Sequence, residues 1–210
     1  MTLLLSISSA WQQKKYSVKQ ILIHADDEVS RFYYINKGYI KVFTINDEGE
    51  EHILLILKPG DLFPLLKNPS QSGQESLYFY SAMVEVDLYV IDQQLLIDKL
   101  KDNLEASWQL LRYVSEFSYT LTNRLAQLES SKKADDKLAS LFNYLISVCG
   151  QPTKLNYYLL DLKLTHQDIA RLIGVTRETV SVAMKRLENQ NKIMTRRGYL
   201  LISGKYASGS

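Results

Sequence analysis

An arginine and a glutamate stand side by side at Arg177 and Glu178, directly after Thr176, a residue type whose hydroxyl starts helices well. At a helix N-terminus a guanidinium presents paired donors to the O6 and N7 acceptors of guanine, and a carboxylate accepts from the amino group of cytosine. Ser181 and Lys185 follow on the outward side of the same helix, whose inward side carries Val180, Met184 and Leu187 at helical spacing. Thr165 and Thr176 supply hydroxyls suited to capping two successive helices. The chemistry is that of reading a DNA major groove. It calls for positioned hydrogen bonds and no nucleophile.

Such side chains must be carried by two short helices joined by a tight turn. Thr165 and Asp168 have the spacing of a reciprocal N-terminal cap, and Ile169, Leu172 and Ile173 fall on one face behind it. Gly174 then ends the first helix by taking a backbone conformation that side chains resist, and Val175 anchors the turn in the core. A generic solvated hairpin has no need of the break, the caps and the exposed pair in register. Downstream, Lys192–Thr195 and Tyr199–Ile202 flank Arg196-Arg197-Gly198, a β-wing with two guanidiniums at its tip for phosphate. Upstream, Ala134–Val148 reads as a helix through Leu138, Leu141, Phe142, Leu145 and Ile146, stopped by Gly150 and Pro152, and Leu159–Leu162 reads as a small strand. Ser203–Ser210 reads as a disordered end.

The charge distribution agrees. Residues 161–206 hold nine Lys and Arg against four Asp and Glu, a balance of +5 that leaves −3 for the rest of a chain whose total is +2. A basic end on a mildly acidic body suits a nucleic-acid-binding module attached to a regulatory one. Cys149 is the single cysteine, so an internal disulfide and a four-cysteine zinc or iron–sulfur site are excluded within one chain. The opening MTLLLSISSAW has no basic start and falls short of the ~20 apolar residues that span a bilayer. We expect a cytoplasmic protein with no membrane partner, and a short amphipathic helix over Leu3–Trp11.

Between Tyr16 and Ile91 the pattern changes to short runs rich in Val, Ile, Tyr and Phe, with turns at Asn36-Lys37-Gly38, Asn46–Gly49 and Pro59-Gly60-Asp61, which predicts an antiparallel sandwich or barrel. His24 and His52 are its only histidines and form no His-x-His, so a metal-dependent barrel enzyme is disfavoured. The cluster Tyr33, Tyr34, Tyr39, Tyr78, Phe79 and Tyr80 suits either an apolar pocket or ordinary strand filling. From Asp92 to Ser131 the period becomes helical. Leu110, Val114, Phe117, Leu121, Arg124 and Leu128 follow the 4-3-4-3-4 spacing of a two-stranded seam, and Leu104, Trp108, Leu111 and Leu125 form a second stripe. One stripe can pack on the chain's own barrel while the other meets a partner. Ser130–Lys133 is the best hinge.

The run TRETVSVAMKRLENQNKI resembles the recognition helix of bacterial regulators related to the cyclic-AMP receptor protein and the fumarate and nitrate reduction regulator, the Crp/Fnr family. LIHADDEVSRFYYINKGYIKV followed by DEGEEHILLILKPGDLF resembles that family's eight-stranded cyclic-nucleotide-binding barrel. The resemblance implies an α+β chain: a jelly-roll effector barrel over residues 1–101, a dimerisation helix over 102–131 with Leu110, Val114, Phe117, Leu121 and Leu128 at the interface, and a winged helix-turn-helix over 132–206. It implies a homodimeric, non-enzymatic transcription regulator that binds a palindromic operator in double-stranded DNA, with RNA polymerase and a small-molecule effector as further candidate partners.

Two departures qualify it. The family's cyclic-nucleotide binders place a Gly-Glu-Leu turn after the Gly-Asp-x-Phe run and an Arg-Ser pair later. Here Leu65 stands where a carboxylate would hold the ribose, Ser76 where an arginine would pair with phosphate, and Pro64 lacks an amide hydrogen. Leu128 and Glu129 replace the Thr-Ser pair that reaches adenine in those binders. No cofactor is expected, and cyclic AMP, haem and an iron–sulfur cluster are all disfavoured. Within the motif, the family pattern implies that Thr165, Gln167, Thr176 and Thr179 lie at capping and phosphate contacts, and many relatives carry a second arginine at the position of Val182, where valine can only pack on a thymine methyl. Alternative readings are a small-ligand sensor acting through a protein partner and a family member that needs no ligand.

Overall fold

The computed structural model describes residues 11–65, 75–130 and 133–207, for residues 127–130 and 207 the backbone only. The expected lead-in helix, Trp11 apart, the Gly73-Gln74 pair, the Ser131-Lys132 part of the hinge and the side chains of Leu128 and Glu129 lie outside the described residues. The chain forms two compact units, one of the residues up to Thr44 with Leu54–Leu121, the other of Ile45–Ile53 with Thr122 onward.

Two antiparallel sheets make up the body of the first unit. One has the order β1(Gln12–Tyr16), β8(Val86–Asp92), β3(Arg31–Lys37), β6(Leu62–Phe63), and the other β2(Ile21–Ile23), β7(Phe79–Ala82), β4(Ile40–Ile45), β5(Glu51–Leu57). Ile45 at the end of β4 and residues 51–53 of β5 fall in the second unit. Alternating burial along β8, with Val86, Leu88 and Val90 inside and Asp87 and Tyr89 less so, is the period that the sequence displays. The polar run of β1 carries no such alternation. It is a strand because it completes a ladder with β8, from Gln12 opposite Val90 to Tyr16 opposite Val86, while the neighbouring Trp11 packs edge-on to Tyr34 and Tyr89. Within the aromatic cluster, Tyr33 stacks on Phe63 at 5.1 Å and Phe63 on Tyr80 at 5.3 Å, so one column of rings joins the two sheets. His24 lies against Phe79 and 3.3 Å from Asp27, and His52 lies 3.4 Å from the Asn46 amide.

Two helices follow, α1(Gln93–Lys101), capped by the Asp92 carboxylate, and the long α2(Leu104–Ser130). In α2 the buried Ala106 and the half-buried Leu110 and Tyr113 join the cluster of Tyr34, Leu62, Ile91 and Leu96. The Tyr113 hydroxyl accepts from the Leu62 N–H at 3.0 Å, which pins the helix to β6. Burial raises the pKa of the neighbouring Asp61 carboxyl, whose oxygen accepts from the Lys58 N–H. Leu110, the first residue of the expected seam, thus packs within its own unit. The large apolar residues of α2 left outward are Leu104, Trp108, Leu111, Val114, Tyr119 and Leu125.

The second unit contains α3(Ala134–Cys149), α4(His166–Ile173), α5(Arg177–Asn189), α6(Gly204–Ala207) and a sheet ordered β11(Ile193–Arg196), β12(Tyr199–Ser203), β10(Tyr157–Leu160), β9(Gly150–Pro152). Gly150 and Pro152 do end α3, and they also form β9 against β10, a strand with no apolar signal of its own. The end of the chain corrects the sequence expectation: Ser203 belongs to β12, and Tyr206 in α6 packs edge-on to Phe142 at 6.2 Å. That aromatic contact orders a stretch whose composition carries no periodic signal. Residues 208–210 lie outside the described residues.

The β3–β4 turn requires glycine at Gly38, where φ is +91° and an added Cβ would sit 2.6 Å from Val86 Cγ1 and 2.7 Å from the Glu85 carbonyl. Gly38→Ala combines a backbone penalty of about 1–3 kcal/mol with that clash. We expect a loss of at least this size in chemical denaturation followed by tryptophan fluorescence.

Candidate nucleic-acid interface

The site is assembled from the backbone outward. Thr165 and Asp168 close a full capping box: the Thr165 N–H donates to the Asp168 carboxylate at 2.9 Å, and the Asp168 N–H to the Thr165 hydroxyl at 3.1 Å. This starts α4, whose Ile169, Ala170, Leu172 and Ile173 are buried. Gly174 takes φ 64° and ψ 53°, the left-handed conformation expected of it, and the N–H groups of Gly174 and Val175 both return to the Ala170 carbonyl. Val175 is half-buried, and Thr176 then caps α5 by accepting from the Thr179 N–H at 3.2 Å.

Val180, Ala183, Met184 and Leu187 turn inward from α5, and this phase leaves Arg177, Glu178 and Lys185 exposed. Val182 is 69% exposed. Thr165, Gln167, Thr176 and Thr179 are also exposed, at the starts of the two helices, where N–H groups and the dipole favour phosphate. Ser181 behaves differently from its neighbours. It is half-buried, donates to the Arg177 carbonyl at 2.9 Å and lies 2.8 Å from His166 Nδ1, so its hydroxyl is committed within the motif.

The wing turns through Arg197 at φ 55° and Gly198 at φ 81°, the successive left-handed pair that suits a two-residue hairpin. Arg196 and Arg197 are exposed at its tip. Lys163 stands beside them with its Nζ 4.8 Å from the Tyr199 ring, adding a third cation. Sequence reasoning missed Lys163 and His166, because both lie outside the amphipathic repeat and acquire partners only through the β12 hairpin and α5. Arg186 is paired with Asp135, and Glu188 accepts from Thr195 at 2.7 Å, so these charges hold the fold together.

This geometry, a capped helix pair with its reading face exposed beside a cationic β-wing, defines a winged helix-turn-helix DNA-binding module. Residues 136–203 match the family model described as a Crp-like helix-turn-helix domain, and residues 13–103 match the cyclic nucleotide-binding domain. The chain is 28% identical over 185 residues to the cAMP-activated global transcriptional regulator CRP of Haemophilus influenzae, covering 85% of this chain and 78% of that one. It is 27% identical over 202 residues to the cAMP-activated global transcriptional regulator Vfr of Pseudomonas aeruginosa, covering 91% and 89%. The fold is shared with FixK2 from Bradyrhizobium japonicum at a TM-score of 0.79 and 16% identity, over 95% of this chain and 96% of that one. The chain belongs to the Crp/Fnr family and is a DNA-binding transcription regulator, not an enzyme. Among the described residues no helix is long and apolar enough to cross a membrane.

The capping box gives a direct test. Thr165→Ala removes the acceptor for the Asp168 N–H and should destabilise the second unit by about 1 kcal/mol. Thermal melting monitored by circular dichroism checks this, and Thr165→Ser, which keeps the hydroxyl, should melt close to the parent.

Proposed function

We propose that this regulator binds a palindromic operator as a homodimer, each recognition helix reading one half-site through Arg177 and Glu178. The observation that carries this is the exposure of that pair at the N-terminus of a helix whose opposite face is fully buried. Thr165, Gln167, Thr176 and Thr179 hold the backbone in register, and Lys163, Arg196 and Arg197 take flanking phosphates. Ser181 acts by fixing His166 against α5 rather than by touching a base. Dimerisation places the two helices about 34 Å apart, one turn of B-DNA.

The dimer seam in this reading is the outward stripe of α2. Leu104, Trp108, Leu111, Ser115, Ser118, Thr122 and Leu125 repeat at 4-3-4-3-4-3, and all seven are exposed. Leu104 is 86% and Trp108 63% exposed, values that an isolated protomer in water would not favour. The stripe takes the place of the seam expected at Leu110, Val114, Phe117, Leu121 and Leu128, in which Leu110 is already packed on the cluster of Tyr34, Leu62, Ile91 and Leu96 and Phe117 adjoins Tyr113. We expect Leu111→Glu to shift sedimentation from dimer to monomer while the protein stays folded, and Leu110→Glu to unfold the first unit instead.

The barrel in this reading does not take cyclic AMP, although relatives are named as cAMP-activated. Supporting this, Ser76 at the phosphate-pairing position is fully buried with its hydroxyl donated to the Tyr78 carbonyl at 2.7 Å, and Leu65 packs into the apolar cluster. Neither group offers a charge to a phosphate, and an unpaired anion there would be heavily penalised.

Selection of bound sequences from random duplex DNA tests the base readout. Arg177→Ala should weaken binding by about 1–3 kcal/mol and relax one base position. Val182→Arg should create a guanine preference absent from the parent. Identical selected sites for the Val182→Arg protein and its parent would mean that this side chain does not face the bases.

A further inference from the structure

Arg124 is the one charged side chain among the described residues that is almost completely buried, at 2% exposure. It lies near the C-terminal end of α2, seven residues beyond Phe117 and fourteen beyond Leu110, on the side of the helix that faces its own fold. Its Nη2 donates to the Leu172 carbonyl at 2.6 Å, and the guanidinium carbon lies 4.9 Å from the Tyr144 ring. Nε and Nη1 have no acceptor among the described residues. Burial pulls its pKa below the ordinary value, with Tyr144 opposing the shift. A buried guanidinium held by a single strong hydrogen bond is an expensive way merely to fill space, where a methionine or leucine would pack without a desolvation penalty.

What it grips explains its presence. Leu172 and Ile173 are the last two residues of α4, and their carbonyls are left without intrahelical partners by the left-handed exit at Gly174. Arg124 takes the first. Lys137 of α3 takes the second, donating from Nζ to the Ile173 carbonyl at 3.1 Å. The negative end of the α4 dipole therefore sits between two cations brought by two other helices. One of those helices, α2, also carries the exposed stripe of Trp108, Leu111 and Leu125. A hydrogen bond from α2 to the end of α4 ties the turn at Gly174, and with it the start of α5, to that helix.

We propose that Arg124 is the positioning residue that locks the recognition motif to the dimerisation helix, so that the two reading heads of a dimer are held at one spacing. Lys137 assists from α3. This inference rests on the dimeric, two-half-site reading above. It does not require Arg124 to touch DNA. Loss of the lock leaves each head able to read its half-site, but the second head no longer engages as an intramolecular event with the right geometry.

The test uses the full-length protein and three duplexes: the palindromic site selected by the parent, a single half-site, and palindromes with the spacer changed by one base pair either way. Affinities are measured by fluorescence anisotropy, with sedimentation and circular dichroism on the same samples. For the parent we expect a strong advantage of the palindrome over the half-site and sharp rejection of altered spacers. For Arg124→Met we expect unchanged half-site affinity, an advantage reduced about tenfold or more, and tolerance of altered spacers. Arg124→Lys, which keeps charge and stem, should recover part of the discrimination, and it carries the same comparison should the methionine variant fail to fold. Lys137→Met should produce a weaker form of the same change. Retention of the parent's advantage and spacer preference in Arg124→Met overturns the inference. So does an equal fall in half-site and palindrome affinity, which marks a purely structural role. A parent protein that shows no palindrome advantage overturns both the dimeric reading and the inference built on it.

Discussion

The left-handed turn at Gly174 is the constraint on which the reading head depends. It stops α4 after eight residues and exposes the carbonyls at its end. It also redirects the chain so that Thr176 can begin α5. A side chain at that φ would strain the backbone although nothing lies within 4 Å of where its Cβ would stand, so the requirement is conformational and not steric crowding. Capping at Thr165 and Thr176 then gives each short helix a defined start. Helices of this length are marginal in isolation, and here they are held by caps at their ends and by Ile169, Leu172, Val180 and Met184 between them.

The long helix α2 answers a different environment in each unit. In its first half the inward face is apolar, with Ala106, Leu110 and Tyr113 meeting Leu62, Ile91 and Leu96. In its last turns it presents Arg124 to a helix end. The change from hydrocarbon to guanidinium follows the change in what is opposite: a sheet face offers apolar side chains, whereas a helix C-terminus offers unpaired carbonyls. The outward face is apolar at both ends and hydroxylic in the middle, at Ser115, Ser118 and Thr122. As a dimer seam it would bury hydrophobic contacts at the ends and a weaker polar section between them.

In the barrel, rings fill the space between the sheets. Tyr33, Phe63 and Tyr80 stack across it, and Phe43 stacks on Phe79 at 5.2 Å. The polar groups that accompany them, Ser76 and Asp61, are engaged by backbone groups of their own turns. Such an interior is stabilised by aromatic burial, and the side chains of Ser76 and Leu65 themselves carry no cation.

The helix pair and the wing were legible because their signals are local: caps, a glycine break and apolar periodicity all act within a few residues, and Thr165, Asp168, Gly174, Thr176, Arg196 and Arg197 each stand where their own chemistry requires. The sandwich was legible for the same reason, through its alternating strands and its turns at Gly38, Gly49 and Gly60. What the chain alone left open involved partners distant in sequence. Two apolar stripes on α2 look alike as text, and only the positions of Leu62 and Ile91 decide that Leu110 faces inward and Leu111 outward. β1 and β9 are strands because β8 and β10 supply ladder partners, not because of their own residues. Tyr206 is ordered by Phe142, and Arg124, which has seam spacing in the sequence, turns instead to the Leu172 carbonyl. Local hydrogen bonding and periodicity are written in consecutive residues, whereas the choice between two equally apolar faces, or the use of a buried cation, is made by whatever the rest of the chain places opposite.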